Sequence, residues 1–350
     1  MEKDASRPKI FITILLFVSF HLIFFSYHLS SSLPLWLSSR TKYFCEDTVT
    51  ASKMIHLEDA IEVLDKRDQS RRAYYMIDSS RQGVVYGRQA CAVESLAKNN
   101  PDADVYLLVL YPPRDLRVQT NEQLDMVKRR YPNIQMLSVK MEKLIEGSIL
   151  EEWYARGELN KSSYPVEHTS DLIRVLVVQR YGGTYLDLDF IVLRSLADLS
   201  ENFVSYQMSS DVNNAMFGFS KNHLITRMIL QRARDKYEPW AFATIGPLSL
   251  IHALEIYCGC NVTEMVKNDT CNDLRVYPSG YFYPVAYTVW WVLFENSTSE
   301  RLASFNESYA IHFSNFMSKN EIVRVGSDQV YSVLAKQHCP RAYWSSYDVF

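Results

Sequence analysis

Residues 168–189, HTSDLIRVLVVQRYGGTYLDLD, contain the pattern that decides the fold: a helix, a double glycine and a strand that carries two carboxylates. Ser170 is placed to cap the helix, and the apolar side chains after it recur with a spacing close to that of a helical turn. Gly182 and Gly183 end the helix, because glycine adopts positive φ angles without steric cost. Residues 184–193 are rich in β-branched and aromatic residues and predict one strand.

The carboxylates of this strand predict a cation site. Because strand side chains alternate between two faces, Asp187 and Asp189 share a face with Tyr185, and the residues between them point into a core. Two adjacent carboxylates that follow a mostly buried segment are costly unless a cation or a hydrogen-bond donor compensates their charge. The alternative is an ordinary solvated strand face.

A second pair of carboxylates with the same spacing, Asp102 and Asp104, is interpreted differently. This pair precedes the apolar run 105–110, so it lies at the entrance of a predicted strand. Ligand sites in open α/β sheets lie beyond the carboxyl ends of strands. We therefore interpret the pair as a solvated turn.

The elements around the motif predict an α/β fold with a mainly parallel central sheet. Residues 74–77 form a short apolar run that ends at Asp78, residues 89–98 predict a helix, and residues 105–110 predict a second strand. Strands separated by helices favour parallel pairing, with ligands at the carboxyl ends. Here those ends lie near Asp78 and Asp187.

Residues 170–196, SDLIRVLVVQRYGGTYLDLDFIVLRSL, resemble the DXD-containing segment of glycosyltransferase family 32, in particular its alpha-1,4-glycosyltransferase group. Six further stretches resemble the family in the same order: ACAVESLAKNNPDADVYLLVL (90–110), NNAMFGFSKNH (213–223), PWAFATIGPLSL (239–250), YPSGYFYPVAYTVWW (277–291), YAIHFSNF (309–316) and HCP (338–340). The resemblance covers most of residues 73–350. It implies a GT-A fold and transfer of a sugar from a UDP-sugar with retention of anomeric configuration.

The resemblance also implies roles for four residues of the motif. Asp189 is expected to bind Mn²⁺ or Mg²⁺ directly, and Asp187 to contact the metal or the ribose. Asp171 and Arg174, three apart at the start of the predicted helix, are expected to contact the donor sugar and diphosphate. The alternative for this second pair is an intrahelical ion pair.

A late histidine is expected to complete the metal site, as in related GT-A enzymes. His312 stands in the run AIHFSN, where the family has His-x-Trp-Asn. Ser314 replaces the tryptophan, so the packing on the donor side differs from the family pattern. The alternative for His312 is a hydrogen-bonded core residue.

Further donor contacts are expected from four residues: Asp78, Tyr185, Gly246 and Asn213. Gly246 precedes a proline and would let the backbone approach the donor or acceptor, although a helix-starting turn is the other interpretation. The aromatic run 277–291 is expected to stack on acceptor sugar, to lie against a membrane, or to pack in the core.

The N-terminus predicts a membrane anchor. Residues 10–29 are nearly uninterrupted apolar residues, enough to cross a hydrocarbon layer of ~30 Å. A signal peptide is the alternative, but its apolar region is usually shorter. We expect a cytosolic tail (1–9), a transmembrane signal-anchor (10–29), a stem (30–72) and a luminal GT-A catalytic domain (73–350). These segments predict a single-pass type II protein of the Golgi membrane.

Glycosylation and cysteine patterns agree with a luminal domain. Acceptor sequons occur beyond the anchor at Asn160, Asn261, Asn268, Asn296 and Asn306. The six cysteines are compatible with disulfides in any of 15 pairings. A zinc site at Cys258, Cys260 and Cys271 is an alternative with an unusual spacing. Cys45 is either free, paired within the chain or bridging a homodimer.

Composition excludes one class of partner, and four functions remain open. The 350 residues are 47% hydrophobic and carry a net charge of −3. The chain therefore lacks the excess of basic residues that is typical of nucleic-acid-binding proteins. The favoured function is transfer of galactose or N-acetylgalactosamine from a UDP-sugar, in alpha-1,4 linkage, to a glycosphingolipid. The alternatives are an alpha-1,4-N-acetylglucosaminyltransferase acting on glycoproteins, a metal-dependent phosphohydrolase with Asp187 as nucleophile, and a catalytically silent luminal binding protein.

Overall fold

The computed structural model describes residues 54–82, 84–110, 117–119, 122–208, 211–265 and 270–350. The predicted cytosolic tail, the predicted membrane span, Cys45 and the sequon at Asn268 lie outside these ranges. Across the described ranges, no helix has the length and apolar character needed to cross a membrane.

Short strands make up the sheet layers of the domain. In chain order they are β1 Met54–His56, β2 Glu58–Asp59, β3 Ala73–Asp78, β4 Asp104–Leu110, β5 Arg117–Gln119, β6 Ile134–Val139, β7 Gly183–Leu186, β8 Phe190–Val192, β9 Phe203–Met208, β10 Asp211–Val212, β11 Met216–Phe219, β12 Thr270–Cys271, β13 Leu274–Tyr277 and β14 Ala310–His312.

The central sheet follows the order β12-β13-β9-β11-β7-β3-β4-β6-β2, with β10 paired to β9. Strands β7, β3, β4, β6 and β2 run parallel to one another, as do β13 and β9. Strand β11 is antiparallel to both β7 and β9. The predicted α/β fold with a mostly parallel central sheet is confirmed.

Helices cover both faces of this sheet. They are α1 Ala60–Leu64, α2 Gly87–Asn99, α3 Glu122–Arg130, α4 Met141–Ile145, α5 Glu151–Ala155, α6 Pro165–Tyr181, α7 Leu224–Asp235, α8 Pro247–Cys258, α9 Val262–Met265, α10 Ser299–Ala303, α11 Asn315–Ser318, α12 Val330–His338 and α13 Pro340–Trp344. Single 3₁₀ segments occupy Glu158–Lys161, Ser279–Tyr281 and Tyr287–Leu293.

Both faces of the central strands are buried, which is why the strands read as continuous apolar runs. Every residue of β3 is buried, and alternate side chains of this strand enter two different cores. One core contains α2, α12 and α13, and the other contains α6, α7 and α8. Parallel strands enclosed by helices on both sides are expected to show this pattern.

Helix α6 begins earlier than the sequence predicted. It starts at Pro165 rather than after Ser170, because proline at the first helical position fits the backbone without losing a hydrogen bond. Residues 168–178 are buried all around the helix, so no amphipathic face marks its start. The predicted end is correct: Gly182 and Gly183 have φ angles of 69° and 115°.

The predicted single strand at 184–193 is two strands. Strand β7 ends at Leu186, the chain turns through residues 187–189, and β8 begins at Phe190. The two strands belong to different sheets, since β8 pairs only with β14. Leu188 is half-buried in this turn rather than directed fully into the core, so the alternation that we predicted does not continue through it.

Part of the segment assigned to the stem contributes to the domain. Strand β2 is parallel to β6 at the edge of the central sheet, and Ala60 and Leu64 of α1 are buried. Residues 58–64, within the predicted stem, thus form an edge strand and a helix of the domain.

Two disulfides connect distant parts of the described chain. Cys91 of α2 pairs with Cys339, between α12 and α13, and Cys258 pairs with Cys271. The second disulfide rules out the zinc alternative, because two of its three sulfurs are already bonded to each other. Cys260 is a half-buried free thiol.

Candidate active site

Two parallel strands bring the first carboxylates together. Tyr75 of β3 pairs with Tyr185 of β7, so the carboxyl ends of both strands lie at the same edge of the sheet. Asp78 ends β3, and Asp187 directly follows β7. The prediction that a site forms at this edge is consistent with the strand order.

The small sheet of β8 and β14 adds the late histidine. His312 of β14 lies opposite Phe190, which directly follows Asp189. The backbone N–H of Phe313 donates to the carbonyl of Asp189 over 2.9 Å, and that of Asn315 donates to Asp189 Oδ2 over 2.6 Å. A segment 120 residues downstream is thereby attached to the turn that carries the aspartates.

Asp187, Asp189 and His312 form one cluster. Asp189 Oδ1 lies 3.0 Å from His312 Nε2, and Asp187 Oδ2 lies 4.0 Å from the same nitrogen. One ligand atom from each of the three residues lies within 4.8 Å of the others. The three residues predicted as metal ligands are therefore close enough to bind a single ion.

Two atoms of this cluster are buried without a hydrogen-bond partner. Asp189 Oδ1 and His312 Nε2 are 3.0 Å apart, but their orientation does not form a hydrogen bond. Buried polar atoms without partners cost free energy, so a group that satisfies both would stabilise the site. A divalent cation fits this donor set, because Mn²⁺ and Mg²⁺ favour carboxylate oxygens and Mn²⁺ also accepts imidazole.

The cluster shifts the pKa of each member. Burial raises the pKa of Asp189, but the nearby His312 and the Asn315 amide outweigh burial and lower the pKa below its ordinary value. Burial lowers the pKa of His312, and the two carboxylates outweigh burial and raise the pKa. Burial raises the pKa of Asp187 despite the adjacent Arg174.

Arg174 forms ion pairs with two aspartates, Asp187 and Asp171. Its Nη1 is 3.1 Å from Asp187 Oδ1, and its Nη2 is 3.4 Å from Asp171 Oδ1. The guanidinium lies 4.4 Å from the ring centre of Tyr185, whose hydroxyl donates to Asp187 Oδ1. The guanidinium also donates to Ser170 Oγ over 2.9 Å. The Arg174 side chain is only 8% exposed, so its contacts are with the protein's own carboxylates.

Comparison with known sequences assigns these residues to a family. Residues 87–207 match the glycosyltransferase sugar-binding region containing the DXD motif, and they include both Asp187 and Asp189. Residues 218–346 match the alpha 1,4-glycosyltransferase conserved region, which includes His312. The chain is a glycosyltransferase that carries both conserved regions.

Relatives of this glycosyltransferase include two named enzymes. The chain is 27% identical to mouse lactosylceramide 4-alpha-galactosyltransferase over 254 residues, which cover 72% of this chain and 70% of the relative. It is 26% identical to human alpha-1,4-N-acetylglucosaminyltransferase over 277 residues, which cover 78% and 80% of the two chains. The chain is thus an enzyme of the hexosyltransferase type.

Two solved structures show a weak overall similarity to the chain. The galactosyltransferase LgtC has a TM-score of 0.36 and 12% identity, with 77% of this chain and 94% of that chain covered. The apo-form glycosyltransferase GlyE of Streptococcus pneumoniae has a TM-score of 0.40 and 15% identity, with 77% and 60% covered.

Asp171 of the glycosyltransferase is a buried residue of the second turn of α6, not of its N-terminus. Its Oδ1 accepts a hydrogen bond from Asn214 Nδ2 over 2.7 Å. The intrahelical ion pair with Arg174 is present, and it belongs to the larger network described above. Burial raises the pKa of Asp171 despite this partner.

Gly246 occupies a helix-starting turn, one of the two interpretations that the sequence left open, and its approach to the donor or acceptor stays a prediction. It is the cap residue before Pro247, which starts α8. A Cβ at Gly246 would lie 2.3 Å from Asn214 Nδ2 and 2.5 Å from Asp171 Oδ2. The absence of a side chain thus allows the α8 start to pack directly on the Asp171 carboxylate.

Asn213 is directed away from this network. Its side chain accepts from the N–H of Ala215 and donates to Gln207 Oε1 over 2.7 Å, so it stabilises the loop between β10 and β11. The neighbouring Asn214 is the residue that reaches Asp171, and its carbonyl accepts from Arg174 Nη1 over 2.9 Å. Of these two asparagines, only Asn214 joins the network around Arg174.

Asp78 is buried and 3% exposed at the end of β3. Its Oδ1 accepts from the N–H of Ser80 over 3.0 Å, whereas its Oδ2 is buried without a hydrogen-bond partner. Burial raises its pKa. Asp78 remains a predicted donor contact, with one oxygen available.

Three residues around the cluster and Arg174 were not assigned a role in the site from the sequence. Asn315 donates its N–H to Asp189, Ser170 accepts from Arg174, and Tyr283 packs edge-on against His312 with ring centres 5.5 Å apart. Asn315 and Tyr283 lie in stretches that resemble the family, which was the available signal. The contact of Ser170 with a residue four positions later follows from the helix period.

Proposed function

We propose that this glycosyltransferase transfers galactose or N-acetylgalactosamine from a UDP-sugar, in alpha-1,4 linkage and with retention, to a glycosphingolipid. The observation that carries the proposal is the cluster of Asp187, Asp189 and His312, in which two buried ligand atoms converge without partners. Both aspartates lie in the matched DXD region.

Asp189 and His312 are the residues that would hold Mn²⁺ or Mg²⁺, with Asp187 as a third ligand or a ribose contact. When bound, the cation supplies positive charge against the diphosphate of the leaving UDP. Arg174 orients Asp187 through Oδ1 and leaves Oδ2 on the side of His312. The Asn315 N–H fixes Asp189 Oδ2 and leaves Oδ1 directed at the cluster. Both aspartates are thus oriented in advance, which reduces the cost of binding.

Retention requires the acceptor hydroxyl to attack the face of the sugar from which UDP departs. The carboxyl ends of β3 and β7 would hold the donor, with Asp78 Oδ2 offering an acceptor atom to it. Asp171 and Tyr185 would act through the Arg174 network. Their side chains are already bonded to Asn214 and Asp187, which favours positioning over direct contact with the donor.

The choice of acceptor and donor rests on the two groups of relatives. The mouse relative is named lactosylceramide 4-alpha-galactosyltransferase, and this name favours a glycolipid acceptor. N-acetylglucosamine transfer is the second candidate, because the human relative with that name matches over a longer stretch.

The phosphohydrolase alternative has less support in the geometry. A nucleophilic Asp187 would need a free oxygen for attack, but its Oδ1 is held by Arg174 and by the Tyr185 hydroxyl. Its Oδ2 is the atom that faces His312. This arrangement suits Asp187 as a metal ligand or as a contact that orients the donor.

We also propose a luminal location in the Golgi, with a single membrane span at residues 10–29. Four of the five sequon asparagines lie in the described residues, and all four are exposed: Asn160, Asn261, Asn296 and Asn306. Glycosylation at these sites, and two disulfides, are expected of a domain in an oxidising compartment.

One experiment tests the proposed transfer. The purified luminal domain is incubated with a panel of UDP-sugars, Mn²⁺ and lactosylceramide, with and without a chelator. We expect UDP release and an alpha-1,4-linked product with UDP-galactose or UDP-N-acetylgalactosamine, both abolished by the chelator. Transfer only from UDP-N-acetylglucosamine supports the second candidate, and phosphate release without sugar transfer contradicts both.

A further inference from the structure

Two exposed phenylalanine rings, Phe242 and Phe316, contact each other beside the candidate active site. Their ring centres lie 5.0 Å apart with planes inclined by 49°. The two residues are 43% and 55% exposed, although each carries a large apolar side chain. Exposed apolar side chains that form one contiguous surface often mark a binding site. We call Phe242 and Phe316 the aromatic platform.

Phe316 is connected to the metal cluster by one residue. It follows Asn315, whose N–H donates to Asp189 Oδ2 over 2.6 Å. Ser318, at the end of the same short helix, accepts hydrogen bonds from Arg88 at both its carbonyl and its hydroxyl. The Phe316 ring is therefore carried by a segment that is attached at both ends.

Phe242 is carried by a loop that is also attached at both ends. The ring of the fully buried His168 binds this loop through Nε2, which lies 3.1 Å from the Ala241 carbonyl, while Nδ1 lies 3.1 Å from the Tyr237 hydroxyl. The loop ends at Gly246, which packs on Asp171. The Tyr164 ring supports Phe242 edge-on, with centres 5.3 Å apart.

The platform thus lies on two segments that each contact a residue of the candidate active site. Held side chains lose little conformational freedom when a ligand binds, which favours them as binding contacts. Aromatic rings bind the apolar C–H face of a sugar, while the hydroxyl groups at the sugar's edge remain available for hydrogen bonds.

We propose that the aromatic platform binds the terminal sugar ring of the acceptor. This inference rests on the proposed function. The acceptor hydroxyl must reach the donor sugar beside the metal cluster, and the platform is one residue away from the segment that fixes Asp189. In a glycolipid, the reacting sugar is the unit farthest from the lipid. The position of the platform therefore fits that sugar and not the lipid tails or a membrane surface.

The test uses Phe242→Leu and Phe316→Leu, which keep an apolar side chain but remove the ring. Binding of methyl β-lactoside is measured by saturation-transfer NMR titration, and the KM for the same acceptor is measured in the transfer assay. In each variant we expect the dissociation constant and the KM for methyl β-lactoside to increase about two- to tenfold. The KM for the UDP-sugar and the rate of donor hydrolysis without acceptor should stay unchanged.

Two comparisons make the result specific. Phe242→Tyr and Phe316→Tyr retain a ring and should bind the acceptor as the wild type does. Trp344→Leu removes a ring of similar exposure (56%) from α13, outside the platform, and should leave acceptor binding unchanged.

Three outcomes would overturn the inference. The first is unchanged lactoside binding in both leucine variants, each shown to be folded by its unfolding midpoint. The second is a weaker rate with lactosylceramide in vesicles but not with the soluble lactoside, which would assign the platform to lipid. The third is equal weakening by Trp344→Leu. Because the NMR titration needs no turnover, an absence of transfer would count against the proposed function and leave the binding result interpretable.

Discussion

Asp189 Oδ1 and His312 Nε2 lie 3.0 Å apart, buried, and without a hydrogen bond between them or to another described residue. The two residues come from positions more than one hundred apart in the chain, and the pairing of β8 with β14 brings them together. A cation bound by both atoms would satisfy both.

Cation binding should depend on pH through His312. The imidazole must be neutral to bind a metal, and the carboxylates raise its pKa above 6.5 in spite of burial. The apparent Mn²⁺ affinity, measured by calorimetry, should therefore continue to increase as pH rises beyond 6.5. In His312→Gln the affinity should be lower and this part of the pH dependence should be absent. A wild-type affinity that is constant above pH 6.5 would contradict the prediction.

The same pKa shift predicts the pH dependence of stability without metal. A histidine whose pKa is raised by folding contributes stability below its unfolded pKa, and this contribution is lost as pH rises through the raised folded pKa. The free energy of unfolding of metal-free protein should therefore decrease above pH 6.5 relative to His312→Gln. Urea unfolding across this range measures the difference.

Removal of the Arg174 charge should strongly destabilise the domain. Arg174→Gln leaves Asp171 and Asp187 without their buried cation, which costs on the order of 3–5 kcal/mol. The matched control is Arg180→Gln on the same helix, where the ion pair with Asp65 is half-exposed and worth about 0–1 kcal/mol. Urea unfolding measures both. Equal losses in the two variants would show that the buried network has no special contribution.

Gly246→Ala should impair folding and activity together. The new Cβ would lie 2.5 Å or less from atoms of Asn214 and Asp171, so the network must shift at a cost of roughly 1–3 kcal/mol. Gly280→Ala is the control, because no heavy atom lies within 4 Å of its added Cβ, and it should change stability by less than about 0.5 kcal/mol. A neutral Gly246→Ala would mean that the close packing on Asp171 is not required.

The Cys91–Cys339 disulfide should contribute strongly to stability. It closes a loop of 248 residues and attaches α2 to the C-terminal helices. Replacement of both residues by Ala should cost about 2–5 kcal/mol. Cys260→Ala, which removes a half-buried free thiol, should have a much smaller effect on the unfolding midpoint. A midpoint unchanged by loss of the disulfide would contradict this prediction.

The sequence predicted those parts of the site that depend on short-range geometry. The double glycine at 182–183 and the strand that ends at Asp78 were correct, because glycine conformations and apolar runs are local properties. The pairing of Asp187 with Asp189 was also correct, although the reason differed. The two residues lie in a turn between strands, not on one strand face.

Other parts of the site depend on contacts between distant segments, and the sequence carried only weak signals for them. The start of α6 was missed because burial on all sides removed its periodicity. Asn214, and not Asn213, reaches Asp171 because the irregular pairing of β10 with β9 sets the direction of this loop. The contact between Gly246 and Asp171 depends on where α8 packs.

The most direct test of the central claim is a calorimetric titration of the luminal domain with Mn²⁺ in the presence of UDP. Asp189→Asn is compared with Asp102→Asn, which alters an exposed aspartate of the other carboxylate pair. We predict one bound Mn²⁺ for wild type and Asp102→Asn, and an affinity at least about tenfold lower for Asp189→Asn. Equal Mn²⁺ affinity in wild type and Asp189→Asn would contradict the assignment of the Asp187, Asp189 and His312 cluster as the metal site.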